Sequence, residues 1–185
     1  MKNNIQNLVS YGLFAAMLCI FAPMSVPIGP IPISLTNLVL YIAIFIIGTK
    51  GTCISFVGYM LLGIVGLPVF SGYSGGPMKV VGPTGGYLVG FIPMIIVMGI
   101  IYKKIASRMK LVPDVLITIL GMIAGTLIAY ALGTLWFMYQ MDCELAYALS
   151  VCVIPFIPFD LGKMIIANVV GRAVRKPLLA QNLIK

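Results

Sequence analysis

Six long apolar runs, separated by short stretches rich in polar residues, proline or glycine, dominate the chain. The runs cover residues 8–26, 33–48, 52–67, 86–102, 113–136 and 145–171. A helix that crosses a bilayer needs about 20 apolar residues, so 185 residues leave room for about six crossings with tight connections. The pattern predicts an all-α integral membrane protein with six transmembrane helices, in a single membrane-embedded domain over residues 1–185.

The composition favours a membrane protein and excludes a soluble one. Hydrophobic residues make up 61% of the chain and charged residues only 9%, whereas a soluble domain has about 25% charged residues. A disordered chain is excluded as well, since such chains are poor in apolar residues. The first run is long and no small-residue cleavage site precedes a soluble domain, so we expect it to be retained rather than removed as a signal peptide.

The distribution of charge predicts the orientation of the chain. There are 12 Lys and Arg residues against 4 Asp and Glu, and no His. In so apolar a chain this excess indicates topology rather than nucleic-acid binding, because cytoplasmic segments concentrate Lys and Arg. With the amino terminus inside, the inside segments hold Lys2, Lys50, Lys103, Lys104, Arg108, Lys110, Arg172, Arg175, Lys176 and Lys185. The outside segments hold Lys79, Asp142 and Glu144, so we predict an even number of spans with both termini cytoplasmic.

The sequence contains no motif of an enzyme or a metal site. Histidine is absent and none of the four cysteines (Cys19, Cys53, Cys143 and Cys152) forms a CxxC pair, so we expect no metal, no cofactor and no disulfide framework. Neither HExxH nor GxSxG occurs, and an intramembrane aspartyl protease needs two carboxylates where only Asp160 is predicted to be buried. Without a GxxxxGK[ST] loop, ATP-driven work requires another polypeptide.

Asp160 and Lys163 are the most informative pair of residues. They stand in the sixth run, where a charge costs about 2.5–3.5 kcal/mol at the bilayer centre. Their spacing places both on one face of a helix. Pro155 and Pro158 break or kink that helix and leave carbonyl groups free, which is tolerated where a helix lines a cavity. The pattern favours a pair that binds a polar group of a ligand; the alternative is a pair that only neutralises itself.

The connection from Gly66 to Tyr87 is glycine-rich and yet apolar, with seven glycines between Gly66 and Gly86. Glycine permits positive φ and close approach of the backbone to a ligand. A solvated linker is more polar, so we interpret the segment as an amphipathic outside loop between helices 3 and 4 that closes over a site as a lid. An ordinary re-entrant or interfacial loop is the alternative. The proline-rich stretch 23–34 is predicted to cap the same cavity, with the amide of Asn37 nearby.

Small residues recur in the first run, where Gly12, Ala15 and Ala16 are close together. Small residues four positions apart let two membrane helices approach closely. We expect them to serve either packing within this chain or docking onto another membrane subunit.

A glycine-rich segment and an Asp-x-x-Lys segment occur in the same chain. The first runs from Gly66-Leu-Pro68-Val-Phe-Ser-Gly72 through Gly75-Gly76 to Gly82-Pro-Thr-Gly-Gly-Tyr-Leu-Val-Gly-Phe91, and the second is Ile157-Pro-Phe-Asp160-Leu-Gly-Lys163. Together they resemble the BioY family, the biotin-specific substrate-capture subunits (S components) of energy-coupling factor (ECF) transporters. The resemblance implies a six-helix substrate-binding domain in the cell membrane of a prokaryote. It further implies that the domain binds biotin near the outer face and docks with a membrane coupling (T) subunit and two cytoplasmic ATPases.

The resemblance also implies roles for individual residues. The implied ligand-binding positions are Asp160, Lys163, the loop around Ser74, and Gly85, Gly86 and Tyr87. In the first helix, Gly12, Ala15 and Ala16 are implied to face the coupling subunit. Some members of the family have an asparagine where this chain has Ser74 and an arginine where it has Leu88, so Lys79 is a candidate to replace the missing cation.

The chemistry of biotin fits an acid and a base side by side. Its ureido ring has two N–H donors, which a carboxylate accepts, and one C=O, to which an ammonium donates. The fused rings and aliphatic tail need apolar and aromatic walls. Candidates for these walls are Tyr87, Phe70, Tyr41, Trp136 and Phe159. The sequence leaves open which end of biotin meets Asp160 and Lys163, and an S component for a different vitamin or a small membrane channel are the alternatives.

Overall fold

The computed structural model describes residues 2–104 and 111–180, and these ranges are almost entirely helical. The helices are α1 (Lys2–Phe21), α2 (Thr36–Ile64), α3 (Pro77–Val81), α4 (Gly85–Lys104), α5 (Leu111–Met141), α6 (Leu145–Cys152) and α7 (Phe156–Ala180). An antiparallel hairpin of β1 (Ser25–Val26) and β2 (Ile33–Ser34) stands between α1 and α2. The predicted helical architecture is therefore confirmed, while the number of crossings and the side of each terminus stay predictions. Arg108, Lys110 and Lys185, which entered the charge argument, lie outside the described residues.

Three of the described helices, α2, α4 and α5, are long and apolar enough to cross a bilayer, or four spans if α6 and α7 count as one. The apolar part of α1, Ile5–Phe21, is shorter. The outward surface is apolar, as shown by Leu8 and Val169, which are 69% and 65% exposed. Large apolar surfaces of this kind need lipid or another apolar partner to cover them.

Helix α2 joins the second and third apolar runs and contains a sharp break at Gly48, with φ 68° and ψ 177°. Asn37, near its start, lines the same cavity as Phe70. The ring of Phe70 packs directly on Gly63, near the end of α2. A straight helix between Asn37 and Gly63 would be about 40 Å long, which is far more than the width of the cavity. The chain therefore doubles back at Gly48, where glycine adopts a positive φ without strain.

The sixth apolar run is two helices, α6 and α7, whose axes are bent by 42°. Pro155 lies in the break, as predicted, because it has no N–H and its ring collides with the preceding turn of a helix. Pro158 was predicted to break the helix as well, and that prediction was wrong. It occupies the first turn of α7, where the backbone N–H groups have no partner within the helix in any case.

Two apolar clusters support the region between these breaks. The larger one joins α1, both halves of α2, α4 and α7, and includes Leu18, Phe45, Met94 and Met164. The smaller one lies under the β1–β2 hairpin and α6, and is made of Ile31, Ile33, Tyr87, Phe137, Ala148, Cys152 and Phe156. The first residues of α2, α4 and α7 meet at the boundary between these clusters, and the candidate site lies there.

Candidate ligand-binding site

A cavity opens where the start of α2, the start of α7, the middle of α5 and the 66–84 loop meet. It encloses about 680 Å³ of space free of atoms, part of which is open solvent. Its lining is Ile31, Pro32, Ser34, Thr36, Asn37, Phe70, Ser71, Lys79, Thr84, Tyr87, Leu88, Phe91, Met94, Thr126, Ala129, Tyr130, Phe156, Asp160 and Lys163. Most of this surface is apolar. Its charged residues are Asp160 and Lys163, which form a pair, and Lys79.

Asp160 and Lys163 form a buried ion pair in this lining, with Lys163 Nζ 2.9 Å from Asp160 Oδ1. The two residues are only 4% and 7% exposed. They lie one turn apart at the start of α7, so the predicted placement on one helical face is confirmed. Two charges buried at this depth are stable only if their remaining hydrogen-bonding capacity is also satisfied.

Three further residues complete the polar network around the pair. Asn37 Nδ2 donates to Asp160 Oδ1 at 2.8 Å, and the Tyr130 hydroxyl donates to Asp160 Oδ2 at 2.6 Å. Lys163 Nζ donates to the Ser34 carbonyl at 2.7 Å and to Asn37 Oδ1 at 3.1 Å. The network ties α2, α5, α7 and the end of β2 together at one point. Asp160 and Lys163 therefore have hydrogen-bonding partners beyond each other, and their binding of a ligand stays a prediction.

The hydrogen-bonding capacity left over defines what this network can bind. The ammonium of Lys163 has three protons, and its three acceptors in the described structure use all of them. A carboxylate has about four lone-pair positions, of which Asp160 uses three. A ligand can therefore donate directly to Asp160, but it receives a bond from Lys163 only by replacing Ser34 or Asn37.

The walls of the cavity are apolar and aromatic, with Phe70, Tyr87, Phe91 and Phe156 among them. Tyr87 is fixed by a 2.9 Å hydrogen bond from its hydroxyl to the carbonyl of Cys152. Its ring packs against Gly133 on α5 so closely that a Cβ there would collide with it. In the described part of the chain no three His, Cys, Asp or Glu side chains come together as metal ligands do.

Six of the residues predicted from the sequence line the cavity, and these are Asp160, Lys163, Tyr87, Lys79, Phe70 and Asn37. Tyr41 lies behind the lining, fully buried, with its hydroxyl hydrogen-bonded to Thr126. Phe159 is 50% exposed on the outer surface of α7. It directly precedes Asp160, and adjacent residues of a helix point in directions about 100° apart, so the two cannot share a face.

The remaining predicted residues support the loop rather than line the cavity. Ser74 closes a turn by donating to the carbonyl of Ser71. A Cβ at Gly85 would overlap the carbonyl of Val80, and one at Gly86 would overlap Trp136. These two glycines permit close packing of α4 against the loop and α5, and their role in binding a ligand stays a prediction. Trp136, predicted as a wall, also lies outside the lining, and its indole N–H donates to the carbonyl of Gly82.

Tyr130 is a residue of the polar network that the sequence analysis did not predict. It lines the cavity and holds Asp160 directly. A signal was present, because Thr126, Tyr130 and Thr134 are spaced four residues apart in an otherwise apolar helix and therefore share one face. The carbonyl of Ser34, by contrast, is a backbone group that no side-chain pattern marks.

The predicted docking residues lie on the surface of α1. Gly12 and Ala16 are exposed and Ala15 is half-buried. A Cβ at Gly12 would meet nothing within 4 Å, so this glycine is not needed for packing within the described chain.

Comparison with known proteins identifies the family of this chain. A crystal structure of the S-component for biotin from an ECF-type ABC transporter superposes with a TM-score of 0.81 at 29% identity, covering 95% of this chain and 93% of that one. The biotin transporter BioY of Thermotoga maritima is 34% identical over 93% of this chain and 97% of its own length. That of Rhodobacter capsulatus is 33% identical over 91% and 93%. The BioY family model matches residues 1–180, and the chain belongs to the BioY family.

Proposed function

We propose that this protein is the biotin-binding membrane subunit of an ECF-type transporter, which captures biotin from outside a prokaryotic cell. The observation that carries the proposal is the buried Asp160–Lys163 pair in the lining of a mostly apolar cavity, in a chain of the BioY family. The relatives bear the name of biotin transporters, and the solved relative is described as the S-component for biotin. Residues 1–185 then form a single substrate-binding domain.

The polar network favours the ureido ring of biotin as the group that meets Asp160 and Lys163. An N–H of the ring donates to the open lone pair of Asp160 Oδ2, and the ring carbonyl accepts from Lys163 in place of Ser34. The other end of biotin carries a carboxylate, and setting it against Asp160 would bring two anions together in a low-dielectric site. The ureido end therefore belongs at the ion pair, and the fused rings and tail extend along Tyr87, Phe91 and Phe70.

The break at Gly48 supports a topology of six crossings with both termini in the cytoplasm. The two halves of α2 then count as two spans, and α1, α4, α5 and the bent α6–α7 pair supply four more. Lys50 follows the break directly, and Arg175 donates to the carbonyl of Phe45 just before it, so basic residues gather at this end of the bundle. Cytoplasmic segments concentrate basic residues, which supports a cytoplasmic position for this end and an outer position for the cavity and the 66–84 loop.

Delivery of biotin into the cell requires partners. The chain has no nucleotide-binding loop of the GxxxxGK[ST] type, so the energy comes from two cytoplasmic ATPase subunits through a membrane coupling subunit. The small residues Gly12, Ala15 and Ala16, of which Gly12 and Ala16 are exposed, form the docking face on α1, because small residues permit close approach of membrane helices. Release then depends on a conformational state with lower affinity for biotin, which the partners favour.

Binding of labelled biotin to the detergent-purified protein tests the proposal. We expect saturable binding that unlabelled biotin competes and that riboflavin or thiamine does not. Competition by another vitamin, with none by biotin, would identify an S component for a different vitamin. Absence of binding by the folded, purified protein would contradict ligand capture by this chain alone.

A further inference from the structure

One cation in the cavity is not accounted for by the polar network. Lys79 lines the cavity from the short helix α3. Its side chain is half-buried, and among the described residues its ammonium makes no hydrogen bond or ion pair. The charged groups of the lining are Lys79, Lys163 and Asp160, so the cavity carries a formal charge of +1. A ligand with a single negative charge neutralises that excess.

The position of Lys79 is fixed from behind by α5. The indole Nε1 of Trp136 donates to the carbonyl of Gly82 at 2.9 Å, and Nε2 of Gln140 donates to the carbonyl of Val81 at 2.8 Å. These carbonyls stand at the end of α3 and directly after it, one turn beyond Lys79. The Thr84 hydroxyl donates to the carbonyl of Lys79 itself at 3.3 Å. Backbone hydrogen bonds tie the rest of the loop to neighbouring segments, from Gly76 N to the carbonyl of Gly63 on α2 and from Gly72 N to the carbonyl of Pro23.

We propose that Lys79 is the anchor for the acidic end of the ligand, and that Trp136 and Gln140 are positioning residues that hold it over the cavity. This inference rests on the proposed binding of biotin and assigns the end of the molecule that the Asp160–Lys163 pair does not bind. Because Lys79 belongs to the loop rather than to the bundle, the carboxylate of the ligand links the loop to the rest of the site. Binding of the acid then stabilises the closed loop, and an uncharged analogue loses that contribution.

The test compares biotin with biotin amide, which keeps the ureido ring and the tail but carries no charge. Both affinities are measured by calorimetry on the wild type and on Lys79→Gln in detergent micelles. We expect the wild type to prefer the acid by about tenfold, the size of one charge-assisted hydrogen bond in a partly buried site. We expect Lys79→Gln to bring the ratio close to one while its affinity for the amide changes little. Lys50→Gln, a matched change at an exposed lysine beside the Gly48 break, should keep the wild-type ratio.

Two further variants test the positioning residues. Trp136→Phe and Gln140→Met each remove one donor to the loop and leave the cavity lining intact, and we expect each to lower the acid-to-amide ratio without a matching loss of amide binding. Tyr139→Phe, an exposed neighbour on α5, is the control. Retained binding of biotin amide shows in each case that the variant is folded. A variant that is generally destabilised would instead lose binding of both the acid and the amide.

The outcomes separate the inference from the function on which it rests. A wild-type protein that binds neither ligand overturns both. A wild type that binds biotin, with an acid-to-amide ratio that Lys79→Gln leaves unchanged, overturns the role of Lys79 alone. A ratio that falls in Lys79→Gln but not in Trp136→Phe or Gln140→Met overturns only the positioning role of α5.

Discussion

Replacing Asp160 and Lys163 together separates the contribution of the ion pair to ligand binding from its contribution to stability. Removing one member alone, as in Asp160→Leu, leaves an ammonium that is 7% exposed with no counter-charge, which costs about 3–5 kcal/mol of stability. Replacing both with apolar residues of similar volume is often neutral or stabilising, by about 1–4 kcal/mol. We therefore expect the double variant Asp160→Leu/Lys163→Met to be more stable than Asp160→Leu.

Polar groups that lose their hydrogen-bonding partners limit how much stability the double variant regains. The double replacement leaves the Ser34 carbonyl, the Asn37 amide and the Tyr130 hydroxyl without the partners they now have. An unsatisfied buried polar group costs about 1–3 kcal/mol, although groups that face the cavity recover part of this from water. The gains and losses are similar in size, so we expect the double variant to unfold within about 2 kcal/mol of the wild type.

Biotin binding should behave in the opposite way. In the proposed placement, the double variant removes the charge-assisted bond between the ureido ring and Asp160, at about 1.5–3 kcal/mol. The bond from Lys163 adds little to this loss, because it replaces the bond to the Ser34 carbonyl. The expected loss of affinity is therefore about 10- to 150-fold in the double variant, and we expect it to persist even where stability is restored.

Thermal unfolding in detergent micelles and calorimetric titration with biotin measure the two effects on the same preparations. Ser55→Ala is the control, because Ser55 is a buried donor to the carbonyl of Tyr11 and lies outside the cavity lining. It should lower stability by about 1 kcal/mol and leave biotin affinity unchanged. A double variant that binds biotin as the wild type does would refute the placement of the ureido ring at this pair.

Three further predictions follow from the geometry. Tyr130→Phe removes the donor to Asp160 Oδ2 and should weaken biotin binding about five- to fiftyfold in calorimetry, with the fold retained; an unchanged affinity would show that Tyr130 does not position the carboxylate for the ligand. Gly48→Ala forces a side chain onto φ 68° and ψ 177°, a region used almost only by glycine, and should lower the thermal unfolding midpoint at a cost of about 1–3 kcal/mol. Gly12→Ala, with open space around it, should not lower it, and equal midpoints for the two variants would contradict a need for glycine at the break. Phe159→Ala changes an outward side chain and should leave the affinity for biotin unchanged in calorimetry, whereas Phe70→Ala should lower that affinity. The reverse result would place Phe159 in the wall of the cavity.

The parts of the site that the sequence predicted are those fixed by local geometry. Asp160 and Lys163 share a face because the helical repeat places residues three apart together, whatever the rest of the fold does. The same rule would have excluded Phe159 from the cavity, had it been applied to the residue next to Asp160. The break at Gly48 was also predictable, since the second run ends in Gly-Thr-Lys-Gly between two apolar runs.

The parts that the sequence did not predict depend on contacts between distant segments. The glycines at 85 and 86 allow either a ligand or another part of the protein to approach, and only the tertiary structure shows that Trp136 and the carbonyl of Val80 occupy that space. Tyr130 meets Asp160 across thirty residues of sequence. From the sequence, the hydroxyl of Tyr130 in its apolar helix does not reveal which charged residue it will hydrogen-bond.

All three protons of the Lys163 ammonium have acceptors in the described structure, and this affects how the site distinguishes between ligands. A ligand carbonyl therefore exchanges one hydrogen bond for another and gains little enthalpy from that contact alone. A ligand without a matching acceptor loses binding free energy in either of two ways. If the Ser34 bond stays in place, the ligand makes no contact with Lys163. If the ligand displaces the Ser34 carbonyl, one proton of the buried Lys163 ammonium is left without an acceptor. In the proposed binding mode, we therefore expect the network to discriminate mainly by rejecting ligands without a matching acceptor. Because Ser34 belongs to β2, a ligand that displaces its carbonyl in this mode also removes a hydrogen bond between α7 and the β1–β2 hairpin.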